Sequence, residues 1–214
     1  MIHFLEKDMG FPAVSEASEE GLLAAGGDLS PERLLVAYRS GIFPWYEAGQ
    51  PILWWSPDPR MVLFIKDFKV SKSLKKTIRK KTFSVTFNQD FEAVINHCAA
   101  VKRDRQQGTW ITQEMKDAYL QLHKKGDAIS FEVWQDGQLV GGGYGVALPE
   151  KKIFCGESMF SLVSDASKVG FFHLVQKYKA EAFALIDCQV YTRHLESLGA
   201  QEIPRNEFLE YLNF

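Results

Sequence analysis

The stretch Ala128–Phe160, AISFEVWQDGQLVGGGYGVALPEKKIFCGESMF, decides the fold. Ile129–Trp134 reads as a strand, and Asp136-Gly137 is a two-residue hairpin turn signal. Leu139–Ala147 is a second strand. Its glycines at 141, 142, 143 and 145 point to a bulge or a close backbone approach. Pro149–Lys152 turns the chain again, and Lys152–Phe160 is a third strand. Working outward, Asp165–Lys179 is a helix with Val169, Phe172, Leu174 and Val175 apolar. Phe183–Val190 is a buried strand and Thr192–Leu198 a short helix. This β-β-β-α-β-α order predicts an α+β fold with a mixed sheet.

Upstream, Ser30 and Pro31 mark a helix start, and Leu34, Leu35 and Tyr38 repeat at helical spacing before Gly41 stops it. Gly41–Arg60 then holds three of the five tryptophans and half of the eight prolines. Proline fixes φ and removes a donor, so such a run is expected to be neither a long helix nor a central strand. It is either core at a junction or one wall of an apolar ligand pocket. Met61–Ile65 and Phe83–Phe87 read as strands, Phe91–Ala100 and Gln113–Lys125 as helices. A polar loop, KRDRQQGTWIT, lies between those helices and ends on an isolated Trp110.

The 214 residues carry a net charge of −2, which argues against wholesale coating of nucleic acid. Lys69–Lys81 is the local exception, with seven positive charges and no acid between Phe68 and Gln89. Lys72, Lys75, Lys76, Arg79 and Lys80 share a broad helix face. That face is either solvated or a contact for a phosphate backbone. Three cysteines without C-x-x-C spacing argue against a disulfide framework and a zinc site. With no secretory signal and no apolar run long enough to span a bilayer, the expectation is a soluble cytoplasmic protein.

Two acids sit in apolar strands. In FALIDCQV a period of two puts Asp187 and Gln189 on one face and Ile186 and Cys188 on the other. A lone buried carboxylate is costly unless hydrogen-bonded. Asp187 is therefore either a cap for a nearby loop or a group that acts on a substrate proton, oriented by Gln189. Glu157, in FCGESMF, is either an edge-strand carboxylate paired with a lysine or part of the same site. Gly156 beside it lets a ligand approach the backbone.

Five blocks, GLLAAGGDLSPERLLVAYRSGIFPWYEAGQPILWWSPDPR, GTWIT, FCGESMFS, LIDCQV and HLESLGA, closely resemble the bacterial leucyl/phenylalanyl-tRNA–protein transferases in order and spacing. The resemblance implies a small N-terminal domain (1–60) and a catalytic domain (61–214) with a sheet like that of the GCN5-related acetyltransferases. It implies transfer of Leu or Phe, with Met a further candidate, from aminoacyl-tRNA to proteins beginning with Arg or Lys, marking them for degradation. No cofactor or metal is implied, and neither membrane nor DNA is a partner. Asp187, Gln189 and Glu157 match the catalytic positions. Trp45, Trp110, Phe154, Gly156, Met159, Phe171 and Ile186 match the aminoacyl pocket. Lys72, Lys76, Arg79 and Lys80 match the tRNA contacts. Gly143 and Leu174 stand where larger pocket residues are expected, and Phe171 is larger than the usual aliphatic, which implies a repacked pocket. An acyl-CoA-dependent N-acyltransferase is the first rival, but FSLVSDASKVG lacks its Gly-rich pyrophosphate turn. A non-catalytic module that binds RNA or basic N-termini is the second, and it leaves the Asp187–Gln189 pair unexplained.

Overall fold

Asp136 and Gly137 both take positive φ, 51° and 76°, as a two-residue hairpin turn requires. The hairpin they close anchors the larger of two sheets. The computed structural model describes residues 2–7, 9–101 and 109–213. Most of the KRDRQQGTWIT loop, including Gly108, lies outside them.

Among the described residues the smaller sheet has four strands, β1 (His3–Leu5), β2 (Leu22–Gly26), β3 (Phe43–Pro44) and β4 (Leu53–Trp55), in the order β1-β2-β4-β3. Helix α1 (Pro31–Arg39) follows β2, with the Ser30 side chain accepting from the Arg33 N–H. The Trp/Pro stretch therefore does contain an interior strand, against expectation. Pro51 and Pro57 flank Leu53–Trp55 rather than interrupt it, so both edges of β4 keep their hydrogen bonds. Trp54 is fully buried, donates to the Gly26 carbonyl and meets Phe11 edge-on.

Among the described residues the larger sheet has seven strands: β5 (Arg60–Phe64), β6 (Ser84–Phe87), β7 (Ala128–Gln135), β8 (Gln138–Leu148), β9 (Ile153–Ser161), β10 (Leu185–Gln189) and β11 (Gln201–Ile203). Their order is β11-β5-β10-β9-β8-β7-β6. The β9–β10 pair is parallel and the rest antiparallel, so the sheet is mixed. The helices are α2 (Lys72–Lys80), α3 (Phe91–Ala100), α4 (Gln113–Lys125), α5 (Ala166–Ala180), α6 (Arg193–Ser197) and α7 (Arg205–Asn213). Alternate β5 residues divide between two cores. Met61 and Leu63 join Phe171, Leu174 and Val175 of α5. Val62 and Phe64 join the side chains of α1, α3 and α4. Being covered on both faces explains why β5 reads as an unbroken apolar run.

β1, β2, β3, β11 and α7 are additions to the sequence reading. β1, β3 and β11 have two or three residues each, too few to show a period. α7 did leave a signal, Phe208 and Leu212 four apart after Pro204, and both are buried. No described helix is long and apolar enough to cross a membrane.

The glycines of β8 are close-approach positions. A Cβ on Gly145 would stand 2.2 Å from the Cys155 carbonyl oxygen and 2.5 Å from Phe154 Cζ. Gly145→Ala is thus expected to destabilise the fold by about 1–3 kcal/mol. Urea denaturation checks this, and an unshifted midpoint would contradict the packing described.

Candidate active site

The parallel strands β9 and β10 pair only as far as Asp187 opposite Cys155. Beyond that point each carries one extra residue. Against β8, Tyr144 faces Ser158 and Gly145 faces Gly156, so Glu157 is the residue left over. Against β5, Asp187 faces Val62 and Gln189 faces Met61, so Cys188 is left over. A bulge re-aims side chains. On β9, Phe154 lies in the α5-side core while Phe160 lies in the other, although both numbers are even. On β10, Gln189 takes φ 66°, a left-handed conformation uncommon for a side-chain-bearing residue. The strict alternation expected for FALIDCQV fails here.

A cavity of about 410 Å³ opens beside these two bulges. Trp45, Trp110, Phe154, Gly156, Met159, Phe171 and Ile186 all line it, together with Glu157 and Gln189. Trp45 is 38% exposed and packs on Trp55 at 5.8 Å, and the Trp55 indole donates to the Trp45 carbonyl at 2.7 Å. Lys72, Lys76, Arg79 and Lys80 are not in the cavity lining. They lie exposed along α2, which packs on α5.

Asp187 does not line the cavity either. Its carboxylate is gripped by Arg60, Nε to Oδ1 at 2.8 Å and Nη2 to Oδ2 at 2.7 Å, and both side chains are 1% exposed. The Arg60 guanidinium also donates to the Gly41 carbonyl and lies 4.8 Å from the ring centres of Phe43 and Phe208. The expected orientation of Asp187 by the Gln189 side chain is corrected. The Gln189 backbone N–H binds Asp187 Oδ1 at 3.0 Å, while the Gln189 amide Nε2 donates to Glu157 Oε1 at 2.8 Å. The bulge turns the two side chains apart.

Among the described residues Glu157 is paired with no lysine. The Tyr38 hydroxyl donates to its Oε1 at 2.8 Å and the Tyr119 hydroxyl to its Oε2 at 2.9 Å. Burial pushes its pKa up to about 7, against the pull of Tyr38, Tyr119 and Gln189 toward the charged form. The two tyrosine hydroxyls also touch each other. The triangle of Tyr38, Tyr119 and Glu157 thus has three oxygen–oxygen contacts but only two tyrosine protons. A protonated Glu157 supplies the third, so a carboxyl that shifts between protonated and ionised near neutrality fits its surroundings.

Arg60, Tyr38, Tyr119 and the cavity-lining Phe131 are site residues that sequence reading missed. A lone arginine opening the apolar run RMVLFI, and a tyrosine on the apolar side of α1, were the available signals. Their partners lie far away in sequence, Asp187 being 127 residues from Arg60.

Two family models match the chain: Leucyl/phenylalanyl-tRNA protein transferase on residues 62–213, and its N-terminal domain on residues 27–58. The Leucyl/phenylalanyl-tRNA–protein transferase of Christiangramia forsetii is 58% identical over 211 residues, covering 99% of this chain and 100% of its own. That of Flavobacterium johnsoniae is 58% identical over 99% of both chains, and one from Pseudomonas aeruginosa is 58% identical over 96% of this chain and 90% of its own. Among solved structures, a GCN5-related N-acetyltransferase from Kribbella flavida is similar at a TM-score of 0.43 and 11% identity, covering 78% of this chain and 59% of that one.

Removing Asp187 strands a buried guanidinium. Asp187→Ala is expected to lower stability by about 3–5 kcal/mol in chemical denaturation, before any effect on activity is considered. A loss below about 1 kcal/mol would show that Arg60 finds another partner or reaches solvent.

Proposed function

The chain belongs to the leucyl/phenylalanyl-tRNA protein transferase family, and on that premise we propose how its residues divide the work of transferring Leu or Phe from aminoacyl-tRNA to proteins with N-terminal Arg or Lys. The observation that carries the division is Glu157, raised to about 7 and bridged to Gln189 at the wall of an apolar cavity.

The donor ester is already activated, so the enzyme has to align it, seat its side chain and manage one proton. The aminoacyl side chain enters the cavity between Trp45, Trp110, Met159 and Ile186. The acceptor α-amine, with an ordinary pKa of about 7.7–8.0, approaches at Gln189. Gln189 Nε2 is committed to Glu157, which leaves the amide oxygen to accept from the amine and fix its direction of attack. As the C–N bond forms, the amine proton passes to ionised Glu157. As the C–O bond breaks, that proton goes to the departing ribose oxygen. Asp187 is a positioning residue: through the Gln189 N–H and Arg60 it holds the bulge that aims Gln189. Lys72, Lys76, Arg79 and Lys80 contact the tRNA backbone. Residues 1–60 form a small domain that contributes the Trp45 wall, and 61–214 form the catalytic domain.

The assay supplies labelled Phe-tRNA and a peptide beginning with Arg, without acyl-CoA. Label on the peptide supports transfer. Binding of both with no transfer supports a binding module, and a requirement for acyl-CoA supports the N-acyltransferase. Within that assay, Glu157→Gln is expected to lower kcat by about 10²–10⁴-fold. The wild-type rate should fall below about pH 7 as Glu157 takes a proton, in addition to the decline from amine protonation. In Glu157→Gln only the amine's decline should remain. Identical pH profiles would remove Glu157 from the proton path. For the basic helix, replacing all four residues by Ala should weaken tRNA binding across sequences and flatten its salt dependence.

A further inference from the structure

Phe87, Phe131, Gly143 and Met159 stand in register across β6, β7, β8 and β9, directly opposite one another. The third place in this row has no side chain, and its neighbours fill it. A Cβ on Gly143 would meet Phe131 Cζ at 2.7 Å and Met159 Cγ at 2.7 Å. The tip of the Phe131 ring therefore reaches across the neighbouring strand into space that a residue at 143 would occupy. A second glycine confines the same ring from the helix side. A Cβ on Gly170 of α5 would lie 2.5 Å from both Cδ2 and Cε2 of Phe131. Glycine is unfavourable inside a helix, and here the reason for it is the ring below. Phe131 is 2% exposed, yet it lines the cavity beside Met159 and Leu174.

We propose that Phe131, clamped between Gly143 and Gly170, is the end wall of the aminoacyl pocket and sets the length of side chain that this enzyme accepts. The inference rests on the transferase reading above and deepens it. It also accounts for Gly143 standing where a larger pocket residue is expected: the volume is supplied from the adjacent strand by a rigid ring. A flexible side chain at this place would yield to a longer donor. A phenyl ring held at its tip and along one edge does not, so it discriminates by shape. A single methylene in an apolar pocket changes specificity by about 10–200-fold, which sets the size of effect expected from moving this wall.

Two substitutions move the wall in opposite directions. Phe131→Leu deepens the pocket. Gly143→Ala pushes the ring tip and Met159 Cγ into it. The readout is kcat/KM for Phe-tRNA, Leu-tRNA and Trp-tRNA donors with one Arg-peptide acceptor, with folding of each variant checked by its thermal melt. Phe131→Leu is expected to raise the Phe-to-Leu ratio about tenfold and to admit Trp. Gly143→Ala is expected to lower the Phe-to-Leu ratio by a similar factor. Equal losses for all donors in both variants, or a ratio moving the same way in both, would overturn the proposal. If Phe131→Leu does not fold, the Gly143→Ala ratio decides alone. A wild-type enzyme that transfers no donor would instead defeat the transferase reading, which keeps the two failures distinct.

Discussion

The buried pair of Arg60 and Asp187 is the constraint on which the site depends. Both side chains are 1% exposed, and charges so placed are tolerated only when their hydrogen bonds are met. Arg60 meets its own by reaching Asp187 on β10 and the Gly41 carbonyl after α1, with aromatic rings from β3 and α7 on either side. One guanidinium thereby joins the small sheet, β10 and α7. Asp187 has a further duty. Its Oδ1 takes the Gln189 N–H, which offsets the left-handed backbone at Gln189 and sends that side chain toward Glu157.

The same arrangement sets stability and chemistry against each other at Glu157. With its pKa raised to about 7, the folded chain keeps a proton that the unfolded chain has already released above its ordinary value of 4.5. The stabilisation from that proton is present at low pH and declines as pH rises toward about 7. Proton acceptance needs the ionised form, which becomes abundant over the same range. Among the described residues the partners of this carboxyl are two tyrosines and a glutamine, all uncharged, and that permits this poise. A cation beside Glu157 would stabilise the anion and make it a poor base at neutral pH.

Much of this could be read from the sequence, and what could not has definite physical causes. The 128–160 meander, α3 and α4 follow local periodicity and turn chemistry, so their places were legible. The seven residues that the resemblance assigns to an aminoacyl pocket do line one cavity. The expected pairing of the Asp187 and Gln189 side chains fails because one extra residue, Cys188, breaks the period of two on β10 and turns them apart. Arg60, Tyr38 and Tyr119 were missed because their significance lies in contacts made across the whole chain. The place of Phe131 depends on two glycines, one on the next strand and one on a helix, and no local pattern joins the three.

The fold holds Glu157, buried among two tyrosine hydroxyls and the Gln189 amide, ready to exchange a proton near neutrality. Carbon-13 NMR of side-chain carboxyls, with the Glu157 resonance assigned by its loss in Glu157→Gln, measures this in the free enzyme. A titration centred at about pH 7 is expected. A Glu157 that titrates near the ordinary glutamate value of about 4.3 would contradict it.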